Sequence, residues 1–226
     1  MCPADELDVY EEKLEETIAS GKLKKYAESY LEVLRYGRKD AKRIVDKLPD
    51  NYLFLGFIHA MFPNAKIIHA VRSPLDTCLS CYFQFFREVT WSFDMEWIAN
   101  RYKMYRNAMD YWKKTLPEGT IVEVYEECYV TDTENQAKRL IEAVGLEWDD
   151  ACLGFYDEGR AVNTASVWQV RQPIYQTSSK RWLNYTQHIE PLANNLRDYL
   201  DKGDIDALKA QGVKLKKKGL LGRLLG

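Results

Sequence analysis

Short apolar runs alternate with longer apolar periodicities along the middle of this chain of 226 residues. A run at 67–71 has the length of a buried strand, and a second run of this kind covers 120–125. Around them, apolar residues recur every three or four positions, which predicts helices at about 74–87, 94–116 and 133–144. Strands that alternate with helices predict an α/β fold, a parallel sheet flanked by helices.

The same spacing predicts further elements outside this middle part. Amphipathic helices are expected at 6–20 and 23–36, a buried helix at 51–62 and a last helix at about 189–201. Residues 43–46 are predicted to form a short strand.

The end of the chain, after Gly203, combines basic residues with leucines. Such a segment either lies on an anionic membrane surface or stays solvated, and glycines at 219, 222 and 226 disfavour a helix. We favour a solvated tail. The predicted organisation is therefore one domain of residues 1–203, followed by a basic tail of residues 204–226.

Composition is typical of a globular protein, because 46% of the residues are apolar and 29% are charged. The net charge of −2 argues against a dedicated nucleic-acid-binding protein. No apolar run approaches the roughly 18 residues of a membrane-spanning helix, and the acidic N-terminus does not resemble a signal peptide. We expect a cytoplasmic protein without a transmembrane segment.

The five cysteines predict neither a disulfide framework nor a metal site. Cys78 and Cys81 form a CxxC pair, but it lies inside an apolar helical pattern, without the second pair of ligands that zinc requires. We interpret both as packed small hydrophobic side chains and expect no metal.

The segment from Ile67 to Ser80 carries the most informative combination of residues. The apolar run ends before Arg72, Pro74 suits the first turn of a helix, and Ser80 follows Arg72 by eight residues. Ligands of open α/β sheets bind beyond the carboxyl ends of the strands, where a guanidinium and a hydroxyl would make a forked anion site. The alternative is an ordinary strand–helix turn with a solvated arginine.

The string from Val71-Arg72 to Ser80-Cys81-Tyr82 resembles the 3′-phosphate motif of sulfotransferases that use 3′-phosphoadenosine 5′-phosphosulfate (PAPS). It looks most like bacterial, tetratricopeptide-associated sulfotransferases, and more distantly like tyrosylprotein sulfotransferases. The resemblance implies a P-loop nucleotide-kinase-like fold and sulfonate transfer from PAPS to a hydroxyl of a small-molecule or peptide acceptor. It also implies that Arg72 and Ser80 hold the 3′-phosphate.

Two further segments extend the resemblance. Asp46-Lys47-Leu48-Pro49 is similar to a family segment whose lysine approaches the transferring sulfonate, so the resemblance makes Lys47 a catalytic residue. A lysine there would stabilise the negative charge that develops on the leaving oxygen. Val124-Tyr125-Glu126-Glu127 is similar to a segment whose tyrosine lies against adenine. A surface lysine and a core tyrosine are the structural alternatives.

A late segment, 169–182, resembles the family loop that closes over the cofactor. Ser178 and Arg181 match the positions that supply further 3′-phosphate donors. The family often has glycine where Lys180 stands, so this loop is expected to differ. A surface loop with a packed tryptophan beneath it is the alternative interpretation.

The N-terminal phosphosulfate loop of the family has no counterpart in this sequence. We therefore expect an N-terminally truncated fold whose exposed sheet edge is covered by another element or by a second chain. Glu6 resembles the glutamate that follows this loop in relatives and takes the acceptor's proton, although a glutamate at a helix start explains it equally well.

The sequence leaves more than one function open. The chain is either an active sulfotransferase, a non-catalytic relative that binds 3′,5′-adenosine bisphosphate or a partner protein, or a fragment completed in trans. The identity of the acceptor is not encoded in any motif, because acceptor pockets are built from variable loops.

Overall fold

The computed structural model describes residues 16–36, 40–84, 86, 89–154, 156 and 179–217. The chain divides into two compact units, which are described separately. Unit 1 comprises residues 1–65 and 108–120, and unit 2 comprises residues 66–107 and 121–226. Two predicted site residues, Glu6 and Ser178, lie outside the described residues.

Unit 1 is helical in its described part. Helix α1 spans Lys22–Leu34 and buries Leu23 and Ala27. A 3₁₀ helix at Pro49–Phe54 leads directly into α2, Leu55–Met61, which packs against α1. The predicted helix at 51–62 therefore begins earlier, at a proline suited to a first turn.

Two expectations for unit 1 are wrong. The helix at 51–62 is not buried, because α2 buries Leu55 but leaves Phe57 exposed. Residues 43–46 do not form a strand. Val45 is exposed, and the Asp46 carboxylate accepts hydrogen bonds from Tyr30 Oη at 2.8 Å and Asn51 Nδ2 at 3.2 Å. Side-chain contacts to Asp46, rather than a sheet ladder, therefore hold this segment.

Unit 2 contains a two-stranded parallel sheet among its described residues. Strand β1, Ile67–Val71, pairs with β2, Ile121–Tyr125, in the register Ile67 with Ile121 and Val71 with Tyr125. Both strands match the predicted apolar runs. Their carboxyl ends lie side by side, so the residues that follow each strand are neighbours.

Helices of varied length surround this sheet and the core of unit 2. They are α3 at Pro74–Phe83, α4 at Met95–Thr115, α5 at Glu126–Thr131, α6 at Thr133–Ala143, α7 at Glu190–Asn195 and α8 at Lys202–Ala210. Short 3₁₀ helices lie at Thr90–Phe93, Asp150–Leu153, Arg181–Tyr185 and Arg197–Tyr199. Residues 108–115 of α4 belong to unit 1. The predicted α/β class with a small parallel sheet is confirmed.

The core of unit 2 gathers apolar residues from distant parts of the chain. Leu75 of α3, Ile98 of α4 and Trp182 are fully buried in one cluster. Leu208 of α8 and Val213 belong to the same cluster. The expectation of a solvated tail from residue 204 is therefore wrong up to this point, because apolar residues and the Asp201 cap of α8 fold this stretch onto the core. Residues 218–226 lie outside the described part.

Gly56 and Trp112 give unit 1 a close contact that can be tested. A Cβ added at Gly56 would lie 2.8 Å from two ring carbons of Trp112. The Trp112 indole is held by its Nε1–H, which donates to the Tyr52 carbonyl at 2.7 Å. We expect Gly56→Ala to destabilise unit 1 by about 1–3 kcal/mol, although alanine is the better helix former.

Chemical denaturation followed by tryptophan fluorescence measures this effect. Gly154→Ala is the matched control, because its Cβ would meet only the Ala151 carbonyl oxygen, at 3.8 Å. Equal midpoints for wild type and Gly56→Ala would contradict the prediction.

Candidate functional site

Arg72 lies at the point where β1 gives way to α3. Its Nε forms an ion pair with Glu126 Oε2 at 2.7 Å, and both side chains are 27% exposed. The pairing follows from the sheet, because Val71 and Tyr125 are register partners and each is followed directly by one of these residues. The guanidinium is thereby oriented at the strand end by the first residue of α5.

The turn between β1 and α3 is fixed by two more carboxylates. The Ser73 amide donates to Glu127 Oε1 at 3.0 Å, and the Ser73 hydroxyl donates to Asp204 Oδ2 at 3.2 Å. Pro74 then begins α3. Helices α5 and α8, neither of which the sequence pattern predicted, thus supply the groups that hold this turn.

Asp204 is an unusual carboxylate, because it is only 4% exposed. Burial raises its pKa to about 6, with smaller contributions from the negative charges of Asp201 and Asp76. The Ser73 hydroxyl and the positive charge of Lys180 act in the opposite direction. Asp204 therefore gains or loses its proton in mildly acidic solution.

Asp76, in the first turn of α3, connects this helix to the segment that carries Arg181. Asp76 is 2% exposed, and its two carboxylate oxygens accept backbone N–H bonds from Lys180 at 2.6 Å and Trp182 at 3.0 Å. Burial raises the pKa of Asp76, whereas these two donors and the charge of Arg72 lower it. The residue between the two donors is Arg181.

Arg181 reaches the other end of α3. Its guanidinium carbon lies 5.4 Å from the centroid of the Phe83 ring, within the range of a cation–π contact. Phe83 follows Ser80 by three residues, so both lie on one face of α3, and Ser80 is exposed. The charge of Arg72 acts on Cys81, where it opposes the increase in thiol pKa caused by burial. Both guanidinium groups are thus associated with α3, the helix that carries Ser80.

Tyr125 lies at the end of β2, 43% exposed, with its hydroxyl donating to Glu123 Oε2 at 3.0 Å. Burial, followed by this carboxylate, raises the pKa of the Tyr125 hydroxyl. The other oxygen of Glu123 lies 3.1 Å from Nδ1 of the buried His69, its register partner on β1. The second ring nitrogen of His69 contacts the Tyr105 hydroxyl. A chain of polar contacts therefore crosses the sheet and ends at Tyr125.

Lys47 belongs to unit 1, where it is exposed in the stretch before the Pro49–Phe54 helix. The residues Arg72, Ser80, Tyr125 and Arg181 belong to unit 2.

Among the residues that the structure describes, no group of three or more His, Cys, Asp or Glu side chains could hold a metal ion. Across those same residues, no helix has both the length and the apolar character to cross a membrane.

A family model described as the sulfotransferase family matches residues 8–150. The chain belongs to the sulfotransferase family. This match covers both strands, the turn at Arg72 and helices α1 to α6. The family prediction is confirmed, while the tetratricopeptide-associated and tyrosylprotein subfamilies stay predictions.

Two curated relatives are longer proteins, and this chain covers less than a third of the length of each. The chain is 35% identical over 208 residues to a protein of Aquifex aeolicus (strain VF5) named "Uncharacterized protein", covering 90% of this chain and 27% of that protein. It is 29% identical over 104 residues to human heparan sulfate glucosamine 3-O-sulfotransferase 6, covering 40% of this chain and 30% of that protein.

Sequence reasoning missed the acidic residues that organise the site. Glu126 and Glu127 follow Tyr125 directly, so their position after a strand end was a usable signal. Asp76 and Asp204 gave no such signal, because their partners are distant in sequence. Asp76 and Lys180 are 104 positions apart, and Ser73 and Asp204 are 131 apart.

The raised pKa of Asp204 predicts a specific dependence of stability on pH. An unfolded aspartate has a pKa of about 3.9, so between about pH 4 and pH 6 the folded state binds more protons at this residue than the unfolded state. The contribution of Asp204 to the free energy of unfolding must then fall as the pH rises through this window, by at most about 2–3 kcal/mol. We expect Asp204→Asn to remove this part of the decrease.

Denaturation midpoints measured from about pH 4 to about pH 7 test the expectation. Asp206→Asn is the control, because Asp206 is an exposed aspartate on the same helix. A decrease in stability that is the same in Asp204→Asn and in wild type would contradict it.

Proposed function

We propose that this chain transfers a sulfonate group from PAPS to a hydroxyl acceptor and releases 3′,5′-adenosine bisphosphate. The observation that carries the proposal is the strand–turn–helix from 67 to 83 in a member of the sulfotransferase family. Arg72 lies at the strand end, Ser80 lies on the helix, and Arg181 contacts the end of the same helix.

Arg72, Ser80 and Arg181 would hold the 3′-phosphate. A doubly charged phosphate needs several donors in a fixed arrangement, and guanidinium groups give the strongest charge-assisted bonds. The ion pair with Glu126 orients Arg72, and the contact with Phe83 orients Arg181. Ser80, exposed on the same face as Phe83, would add a hydroxyl donor.

Tyr125 would contact the adenine. Its ring is partly exposed at the carboxyl end of β2, beside the strand end that precedes Arg72. An aromatic side chain at such a position can stack on a base, and the bond to Glu123 limits how the ring can turn.

In the reaction, the bond between sulfur and the bridging phosphate oxygen breaks while a bond between sulfur and the acceptor oxygen forms. The acceptor proton goes to a base, and negative charge develops on the leaving phosphate oxygen. Lys47 would stabilise that charge and Glu6 would take the proton; both roles rest on the sequence resemblance alone. No step requires a metal.

Calorimetric titration with 3′,5′-adenosine bisphosphate tests the binding part of the proposal. We expect Arg72→Ala to weaken binding by about 10- to 100-fold, the effect of losing a charge-assisted contact. Adenosine 5′-monophosphate, which lacks the 3′-phosphate, should bind both proteins similarly. Arg35→Ala is the control, because Arg35 is exposed in unit 1.

The outcomes separate the alternatives. Absence of binding to wild type would overturn the proposal. Binding without sulfonate transfer from PAPS would support a non-catalytic relative, and activity that appears only after a second chain is added would support a fragment completed in trans. A second chain at the sheet edge has no support in the structure.

Lys47→Ala tests the catalytic part. We expect it to lower turnover of PAPS by about 100- to 1000-fold while affinity for 3′,5′-adenosine bisphosphate is retained, because the lysine would act on charge that develops in the transition state. Lys42→Ala, a change at an exposed lysine in the same stretch, is the control. Unchanged turnover in Lys47→Ala would refute the role.

The acceptor is proposed only as a hydroxyl compound. The human relative is named for a glucosamine 3-O position, so carbohydrate hydroxyls are the first class to assay. Peptide hydroxyls are the second class.

A further inference from the structure

Asp76 makes contacts that the proposed reaction does not use. It lies in the first turn of α3, is almost completely buried, and accepts two backbone N–H bonds from residues 180 and 182. Burying a carboxylate is costly unless its oxygens receive donors. Both oxygens receive a donor here, so the residue is tied to one particular backbone conformation of the 180–182 segment.

That backbone conformation is a restricted one. Lys180 has φ 55, in the left-handed region that is unfavourable for residues with a side chain. Trp182 is fully buried in the core of unit 2, so its main chain is anchored as well. The two bonds to Asp76 therefore hold both neighbours of Arg181, one on each side.

The geometry of α3 relates the two backbone bonds of Asp76 to the position of the Arg181 guanidinium. Asp76 and Ser80 are four residues apart and Ser80 and Phe83 are three apart, so the three side chains lie along one face of the helix. The main chain around Arg181 is bound at the Asp76 end of this face, and its guanidinium contacts Phe83 at the other end. Ser80 lies between these two contacts.

The Phe83 ring is itself fixed on this face. Its centroid lies 5.0 Å from that of Tyr185, which belongs to the same 3₁₀ helix as Arg181. The segment 180–185 therefore meets α3 at both ends, through hydrogen bonds to Asp76 and through ring packing on Phe83. Such a double attachment limits the positions that the Arg181 side chain can reach.

We propose that Asp76 is a positioning residue for anion recognition: by binding the backbone on both sides of Arg181, it holds that guanidinium against the face of α3 that carries Ser80. The inference rests on the proposed function, in which Arg181 and Ser80 bind a ribose 3′-phosphate. In this role Asp76 would not itself contact the nucleotide. Its effect on the nucleotide passes entirely through Arg181.

Asp76→Asn tests this role with little change in volume. Asparagine keeps one acceptor oxygen but presents an NH₂ group to the second backbone N–H, so one of the two bonds must be lost. The readout is the ratio of affinities for 3′,5′-adenosine bisphosphate and adenosine 5′-monophosphate, which isolates the 3′-phosphate. We expect this ratio to fall about tenfold in Asp76→Asn and in Arg181→Ala.

The double variant Asp76→Asn with Arg181→Ala should have the ratio of Arg181→Ala alone, because both changes act through one side chain. Hydrogen exchange of the peptide covering 179–185 should be faster in Asp76→Asn without any nucleotide. Asp206→Asn, at an exposed aspartate, should change neither measurement.

Two outcomes would overturn the inference. The first is an unchanged ratio in Asp76→Asn, which includes an equal loss of affinity for both nucleotides and would indicate a merely structural role. The second is additive effects in the double variant. A wild type that does not discriminate between the nucleotides would instead overturn the proposed function, and with it the role of Asp76 in anion recognition. In that case the exchange measurement still decides whether Asp76 holds the turn.

Discussion

The ion pair between Arg72 and Glu126 is the constraint on which the candidate site depends. It exists because two parallel strands end side by side, which brings the first residue after each strand into contact. Glu127 and Asp204 then fix the turn that follows Arg72. The sheet register, two short helices and one turn thus determine the direction of a single guanidinium.

This arrangement places a proposed anion site among carboxylates. Two unit charges about 4 Å apart interact by about 4 kcal/mol at an effective dielectric constant of about 20, so Glu126 would oppose a phosphate unless the arginine is shared between them. A general positive field cannot therefore account for anion binding here. Affinity would have to come from hydrogen-bond donors held in a fixed geometry. The surrounding carboxylates can hold these donors in place. The partial protonation of Asp204 near pH 6 would also reduce the opposing charge.

The sequence predicted those elements whose signals are local. The apolar runs at 67–71 and 120–125 became β1 and β2, and the long periodicity at 94–116 became α4. Helices α5 and α8 were missed for different reasons. α5 follows β2 without any loop, and only its two leading glutamates indicated a helix start. α8 begins at a capping aspartate within a stretch whose lysines suggested a tail.

The residues of the candidate site also divide into those with a local sequence signal and those without one. Arg72 and Ser80 were found because a single strand–helix motif contains both, and Tyr125 because it closes a strand. The partners Glu126 and Asp204 depend on register and on packing between distant segments, which no local pattern encodes. That Arg72 and Ser80 bind one phosphate stays a prediction.

Lys180 shows how a departure from a family pattern can be understood physically. The resemblance to sulfotransferases leads us to expect glycine at this position, and the backbone here has the positive φ that glycine adopts without strain. A lysine at this position must be held there by other interactions, and the Asp76 carboxylate supplies one directly at the Lys180 amide. The carboxylate that stabilises Lys180 in this conformation also holds the main chain around the next residue, Arg181, so backbone strain and the proposed phosphate contact are linked through one buried side chain.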